Sequence, residues 1–153
     1  MTPSQQLAGF FEKYTPDVRR LGTASLAKLR KRLPGGVEFV YDNYNALVIG
    51  FGPTEHPSDA ILSIALYSRY VNLYFLFGAE LPDPEHRLKG DGTRVRFVRV
   101  DDAAVLDEPA IATLIDAALR TAPEPMIRKT PRRLVIRAVS KRQRARRPRT
   151  LRT

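Results

Sequence analysis

Two histidines, six tyrosines and no cysteine set the side-chain chemistry open to this chain. Without cysteine there is no disulfide, no thiolate metal site and no thiol nucleophile. The metal-ligating residue types thicken at Asp83, Glu85 and His86, and His56, beside Glu55, offers a second imidazole from another loop. Carboxylates and imidazoles together suit a divalent cation. Two histidines in separate loops, however, lack the fixed spacing of a metal motif. On the alternative reading Asp83 caps a helical turn opening at Pro84, and the others are solvated loop residues.

A second concentration is aromatic. Tyr41, Tyr44, Asn45, Tyr67, Arg69, Tyr70, Asn72 and Tyr74 cluster in the middle of the chain. Hydroxyl-tipped rings beside amides and a guanidinium could line a pocket for a small planar or anionic ligand, with Lys89 and Arg94 nearby. The alternative is a solvent-facing sheet surface, where tyrosine is favoured for its β-propensity. Glu38 and Lys89 read equally as an acid and a base or as a structural ion pair. No nucleophile elbow, phosphate loop or dinucleotide fingerprint occurs. Gly50-Phe-Gly52 and Gly90-Asp-Gly92 read as turn glycines, because neither leads into a helix as phosphate binding requires. Nothing asks for catalysis, and a non-enzymatic protein is expected.

The elements that must position these residues follow from periodicity. Leu7, Phe10, Phe11 and Tyr14 give one apolar helical face, capped by Thr2 or Ser4. Thr15-Pro16-Asp17 opens a second helix with a capping threonine, proline in the first turn and an acid near the positive end. Its stripe is Val18, Leu21, Leu26, Leu29 and Leu33, and Gly22 within it points to close packing. Pro34-Gly35-Gly36 ends it. Strands are expected over 37–41, 46–51, 60–66, 71–77 and 93–100, the first pair joined by the Asx-rich turn 42–45 and the third to the fourth by 67–70. In the fourth, Val71, Leu73, Phe75 and Phe77 share one face and Asn72 and Tyr74 the other. A final helix is expected from Asp107, with Ile111, Leu114, Ile115, Ala118 and Leu119 inward and Pro123 and Pro125 closing it. The expected fold is α+β: an antiparallel sheet of about five strands, packed on one face by N-terminal and C-terminal helices.

Charge divides the chain differently. All 16 acidic residues lie at or before Glu124, together with 14 of the 26 basic ones; the other 12 follow Met126. The reading is therefore a nearly neutral domain over 1–125 and a basic, largely disordered tail over 126–153, in which Leu134–Val139 could add an edge strand. Arg142, Arg144, Arg146, Arg147 and Arg149 are its densest cations. They would draw nucleic-acid phosphate without sequence preference, with affinity falling as salt rises; the alternative is a solubilising extension. The stretch has no apolar face for a membrane. The N-terminus lacks the charged and apolar regions of a secretory signal, and the most apolar run, 60–77, is broken by Arg69 and Asn72. A cytoplasmic protein is expected.

Glu38 to Tyr44, Tyr67 to Phe75 and above all Leu81-Pro-Asp-Pro-Glu-His-Arg-Leu-Lys-Gly-Asp-Gly-Thr-Arg-Val-Arg-Phe-Val-Arg-Val100 resemble the YdhG-like family of small bacterial domains of unknown function, over roughly 11–119. The resemblance implies an α/β sandwich with helices against one face of an antiparallel sheet. Some members are described as frataxin-like iron chaperones, which implies an iron role carried by an acidic ridge on the first helix. Hard cations need such clustered carboxylates. Up to Leu33 this chain offers only Glu12 and Asp17 against seven basic side chains and the N-terminal amine, so iron is disfavoured and no cofactor is expected. The reading is a small-ligand or protein-interaction module, with metal handling and tail-mediated nucleic-acid association as alternatives.

Overall fold

The computed structural model describes residues 1–148. Helix α1 (Pro3–Glu12) starts from Thr2, whose side chain accepts from the Gln5 N–H while the Gln5 side chain accepts from the Thr2 N–H. That reciprocal cap satisfies two amides a helix otherwise leaves bare. Helix α2 (Pro16–Arg32) is capped by Thr15. It ends at Leu33, and Gly35 and Gly36 take positive φ to turn the chain into the sheet, a conformation only glycine adopts without strain. Helix α3 (Pro109–Thr121) follows a 3-10 turn over Ala103–Asp107.

Six strands, β1 (Val37–Asp42), β2 (Leu47–Gly52), β3 (Leu62–Leu66), β4 (Val71–Phe75), β5 (Arg96–Arg99) and β6 (Arg133–Val139), form one sheet in the order β5-β4-β3-β2-β1-β6. β1 to β5 meander antiparallel, and β6 lies parallel to β1 with a register shift between Val40 and Tyr41. The register sorts side chains by face, since alternate residues point oppositely. One row runs Ile136, Val40, Ile49, Ile64, Leu73, Val98 and joins a single core with Phe11, Tyr14, Leu29, Leu114 and Ile115 from the helical side. Gly22 packs so closely that an added Cβ would lie 2.5 Å from a Leu66 methyl, as its place within the α2 stripe suggested.

The α+β fold is as expected, and the strand left open at 134–139 forms: Leu134 and Ile136 pack against the core and bring β6 to the edge of the sheet as a sixth, parallel strand. Two expectations change. Gly50 and Gly52 are strand residues of β2, not turn glycines. The segment after 125 is not loose over 126–148. Beyond β6, Arg146 is buried, the Ser140 N–H donates to the Asp42 carbonyl (2.9 Å) and the Arg144 N–H to the Tyr44 carbonyl (2.8 Å). Composition misled here: arginine-rich sequence lacks an apolar stripe, yet a guanidinium can be buried where a carboxylate and free carbonyls await it.

No helix among the described residues is long and apolar enough to cross a membrane.

Candidate functional site

The face of the sheet turned away from the helices is uneven in a specific way. Across it run two rows, Val135, Phe39, Gly50, Ser63, Tyr74, Phe97 and Ala138, Tyr41, Val48, Ala65, Asn72, Arg99. Gly50, Ser63 and Ala65 are small and central, while rings stand on the strands either side. With neighbouring strands about 4.8 Å apart, the small residues Gly50, Ser63 and Ala65, with Val48 beside them, leave this part of the face as a trough, lower than the ring-bearing strands either side.

On this face lies a groove of about 320 Å³ lined by Phe39, Tyr41, Asn43, Val48, Gly50, Pro57, Ala60, Ser63 and Leu76. The volume falls within the usual range for small-molecule sites. Phe39 is buried, its ring against Gly52, where an added Cβ would come to 3.5 Å of Phe39 Cε2; at Gly50 an added Cβ would meet only the Phe39 Cβ and carbonyl oxygen, at 3.9 Å. Three residues with polar side chains, Tyr41, Asn43 and Ser63, line the otherwise apolar groove. None of the three makes a side-chain hydrogen bond among the described residues, and no charged side chain lines the groove.

Beside the trough, toward β5, the structure brings together four of the eight residues of the expected aromatic set, Tyr67, Tyr70, Asn72 and Tyr74. The Tyr67 and Tyr74 hydroxyls lie 2.7 Å apart, Asn72 Nδ2 donates to the Tyr74 hydroxyl at 3.2 Å, and Arg99 Nε donates to Asn72 Oδ1 at 2.9 Å. Tyr67 stacks on Tyr70 with centroids 4.6 Å apart, and the Arg99 guanidinium covers the Tyr70 ring at 3.9 Å. Burial, then the hydrogen bond with Tyr74 and the neighbouring phenols, raises the Tyr67 hydroxyl above the ordinary tyrosine range. It stays neutral.

The other predicted ligand-binding residues are elsewhere. Glu38 points to the helical face, buried, where Arg30 grips it in a two-pronged pair (2.7 and 2.9 Å); it is structural, neither ligand nor acid–base partner of Lys89. Lys89 makes a backbone bridge with Phe97 outside β5, and Arg94 lies over the Phe77 ring. Arg69 and Asn45 sit exposed in turns, and Tyr44 is half exposed under Arg144.

The metal set does not assemble. Both Asp83 oxygens accept backbone N–H groups, from Arg87 and Leu88 at 2.9 Å each, and Glu55 pairs with Arg133. Glu85, His86 and His56 gather no third ligand: no group of three or more histidine or carboxylate side chains able to hold a metal occurs among the described residues. Asp83 therefore matches the capping alternative, holding a tight turn in which His86 takes a positive φ.

Of the predicted tail cations, Arg142 is exposed, Arg144 and Arg147 rest on the body, and Arg149 lies outside the described residues. Arg146 enters a buried ionic cluster that sequence reasoning missed. Its Nη2 donates to Asp42 Oδ1 at 2.9 Å and to the Asn43 carbonyl, and Nη1 to the Tyr44 carbonyl. Lys13 Nζ reaches the other Asp42 oxygen at 2.6 Å and Gln143 Oε1 at 3.1 Å. Burial would raise the Asp42 carboxyl, but hydrogen bonds from Lys13, Gln143 and Arg146 outweigh it and hold the group below the usual aspartate value.

Compared with known proteins, the chain matches no family model, no curated protein and no solved structure.

Proposed function

We propose that this chain is a non-enzymatic binding module that takes a small, neutral, planar molecule in the trough on the helix-free face of its sheet. One observation carries the reading: the groove is lined by apolar residues and by Tyr41, Asn43 and Ser63, whose side chains make no hydrogen bond among the described residues, and by no charged side chain. Polar groups in such a place favour a ligand that replaces their water, while a charged ligand would lose hydration with no counter-ion to compensate. Among the described residues Ser63 has no hydrogen-bonded base, the partner that activates a serine nucleophile. A larger groove of about 440 Å³ lies between α1 and α2, but Arg30 on its wall is already committed to Glu38. Membership of the YdhG-like family is part of the same proposal, supported by the quoted motifs and by helices stacked on one face of the sheet.

The test uses Gly50→Val. A Cβ at Gly50 would meet nothing nearer than 3.9 Å and its φ is unremarkable, so a side chain can start there without a backbone or Cβ clash and its methyls enter the groove. Benzamide and benzoate, nearly the same shape but differing in charge, are titrated by isothermal calorimetry. Benzamide is expected to bind in the range of about 1 mM or tighter, benzoate about tenfold or more weaker, and Gly50→Val to lose benzamide. Benzoate binding as well as benzamide, or undiminished binding to the variant, overturns the reading.

A further inference from the structure

Residues 126–148 carry ten basic side chains and no acidic one. Three of the ten meet carboxylates: Arg133 with Glu55, Arg146 with Asp42, and Arg132 at 3.8 Å from Glu38. Arg128, Lys129, Arg137, Lys141 and Arg142 are exposed with no carboxylate partner among the described residues. These charges are not on a wandering tail. β6 fixes Arg137 on the edge of the sheet, and the strap after it is fastened by Arg146, 4% exposed in its side chain against a fully buried Asp42. Arg147 adds donations to the Glu12 and Lys13 carbonyls at the C-terminal end of α1, where a helix carries partial negative charge.

We propose that this strapped edge is a phosphate-binding surface for nucleic acid, read without sequence preference and preorganised by the Arg146–Asp42 pair. It is separate from the trough and does not depend on the trough being a ligand site. Eight of the ten cations are arginines, whose planar fork matches a phosphate's paired oxygens better than a lysine ammonium does. The Arg144 guanidinium lies 5.6 Å from the centroid of the half-exposed Tyr44 ring, a platform on which a base can stack. A membrane surface is the poorer match, since binding there needs an apolar face beside the charges, and the segment exposes only Ile127 and Val139 as large apolar side chains while 140–148 are polar or basic apart from Ala145 and Pro148.

The full chain is tested by fluorescence anisotropy with a labelled oligothymidylate of about 20 nucleotides and a duplex of similar length, from low to physiological salt. The wild type is expected to bind at least one probe with a Kd of about 1–100 µM near physiological salt, and far more tightly at low salt. Arg137→Ala/Lys141→Ala/Arg142→Ala removes three exposed side chains that hold no part of the fold. It should weaken binding about tenfold or more and flatten the slope of log K against log salt by about 2–3. Arg146→Met leaves every exposed cation in place; it should weaken binding while the triple variant keeps its wild-type melting temperature. No binding at low salt, or a triple variant that binds as the wild type does, overturns the site. Arg146→Met binding undiminished overturns the preorganisation. Tight binding to phosphatidylserine vesicles with none to either oligonucleotide reassigns the edge to a membrane and removes the proposal.

Discussion

Tyr14 shows how much one side chain ties together. Its ring is fully buried, its hydroxyl donates to the Leu66 carbonyl (2.8 Å) and accepts from the Leu47 N–H (3.0 Å), and the Arg146 guanidinium lies 5.8 Å from the ring centroid. Tyr14→Phe would leave two buried backbone groups without that partner, and urea unfolding should register a loss of about 1–3 kcal/mol. Burial pushes the phenol up to about 12 from 10, against the smaller lowering effect of Arg146. The unfolded chain then sheds this proton first. The neutral hydroxyl's stabilisation is complete below pH 10 and is lost as pH rises from 10 towards 12; in Tyr14→Phe that part of the alkaline decline should disappear. At Asp42 the sign reverses. A lowered carboxyl stabilises the fold above the unfolded aspartate value of about 4, and that contribution disappears as pH falls through the folded pKa. Asp42→Asn strands a buried guanidinium and should lose about 3–5 kcal/mol, whereas a double change to Asp42→Leu/Arg146→Met should lose less. Sequence could not reveal this pair. The partners are 104 residues apart, and an arginine in a basic run carries no mark of being the buried one.

At the scale of elements, capping and periodicity were legible because they are local. Thr2 and Thr15 cap α1 and α2 as their spacing implied, and the stripe from Ile111 to Leu119 faces the core in α3. The start of α3 was misplaced. Asp107 instead ends a 3-10 turn and meets Lys28 and Arg32, hydrogen bonds from which, Lys28 foremost, hold its carboxyl low. β6 was ambiguous because Arg133, Arg137 and the exposed Val139 interrupt its apolar residues, and only pairing with β1 decides it. Gly22 offers a direct check of packing against propensity. Alanine there should help the isolated helix by up to about 1 kcal/mol, yet its methyl would press on buried Leu66 and on Phe11. Overpacking wins, and Gly22→Ala is expected to be destabilised by about 1–3 kcal/mol in thermal and urea unfolding.

The whole molecule separates three roles: a helical face that holds the core, a sheet face with a trough, and a basic edge strapped beside it. Tyr67, Tyr70, Asn72 and Tyr74 were readable as a group, since strand alternation puts Asn72 and Tyr74 together, whereas Tyr41 and Tyr44 of the expected set lie apart from them. The trough was not readable. Its floor of Gly50, Ser63 and Ala65 becomes continuous only when β2 and β3 pair in their observed register, and a space is defined by what the sequence omits. The most direct measurement is therefore a residue-by-residue map of the amide shifts that benzamide induces in the isotopically labelled full chain. Shifts concentrated at Tyr41, Asn43, Gly50, Ala60 and Ser63, and absent in Gly50→Val, are the predicted result. Shifts gathered between α1 and α2 around Leu7, Phe11 and Leu26, or none anywhere, would contradict it.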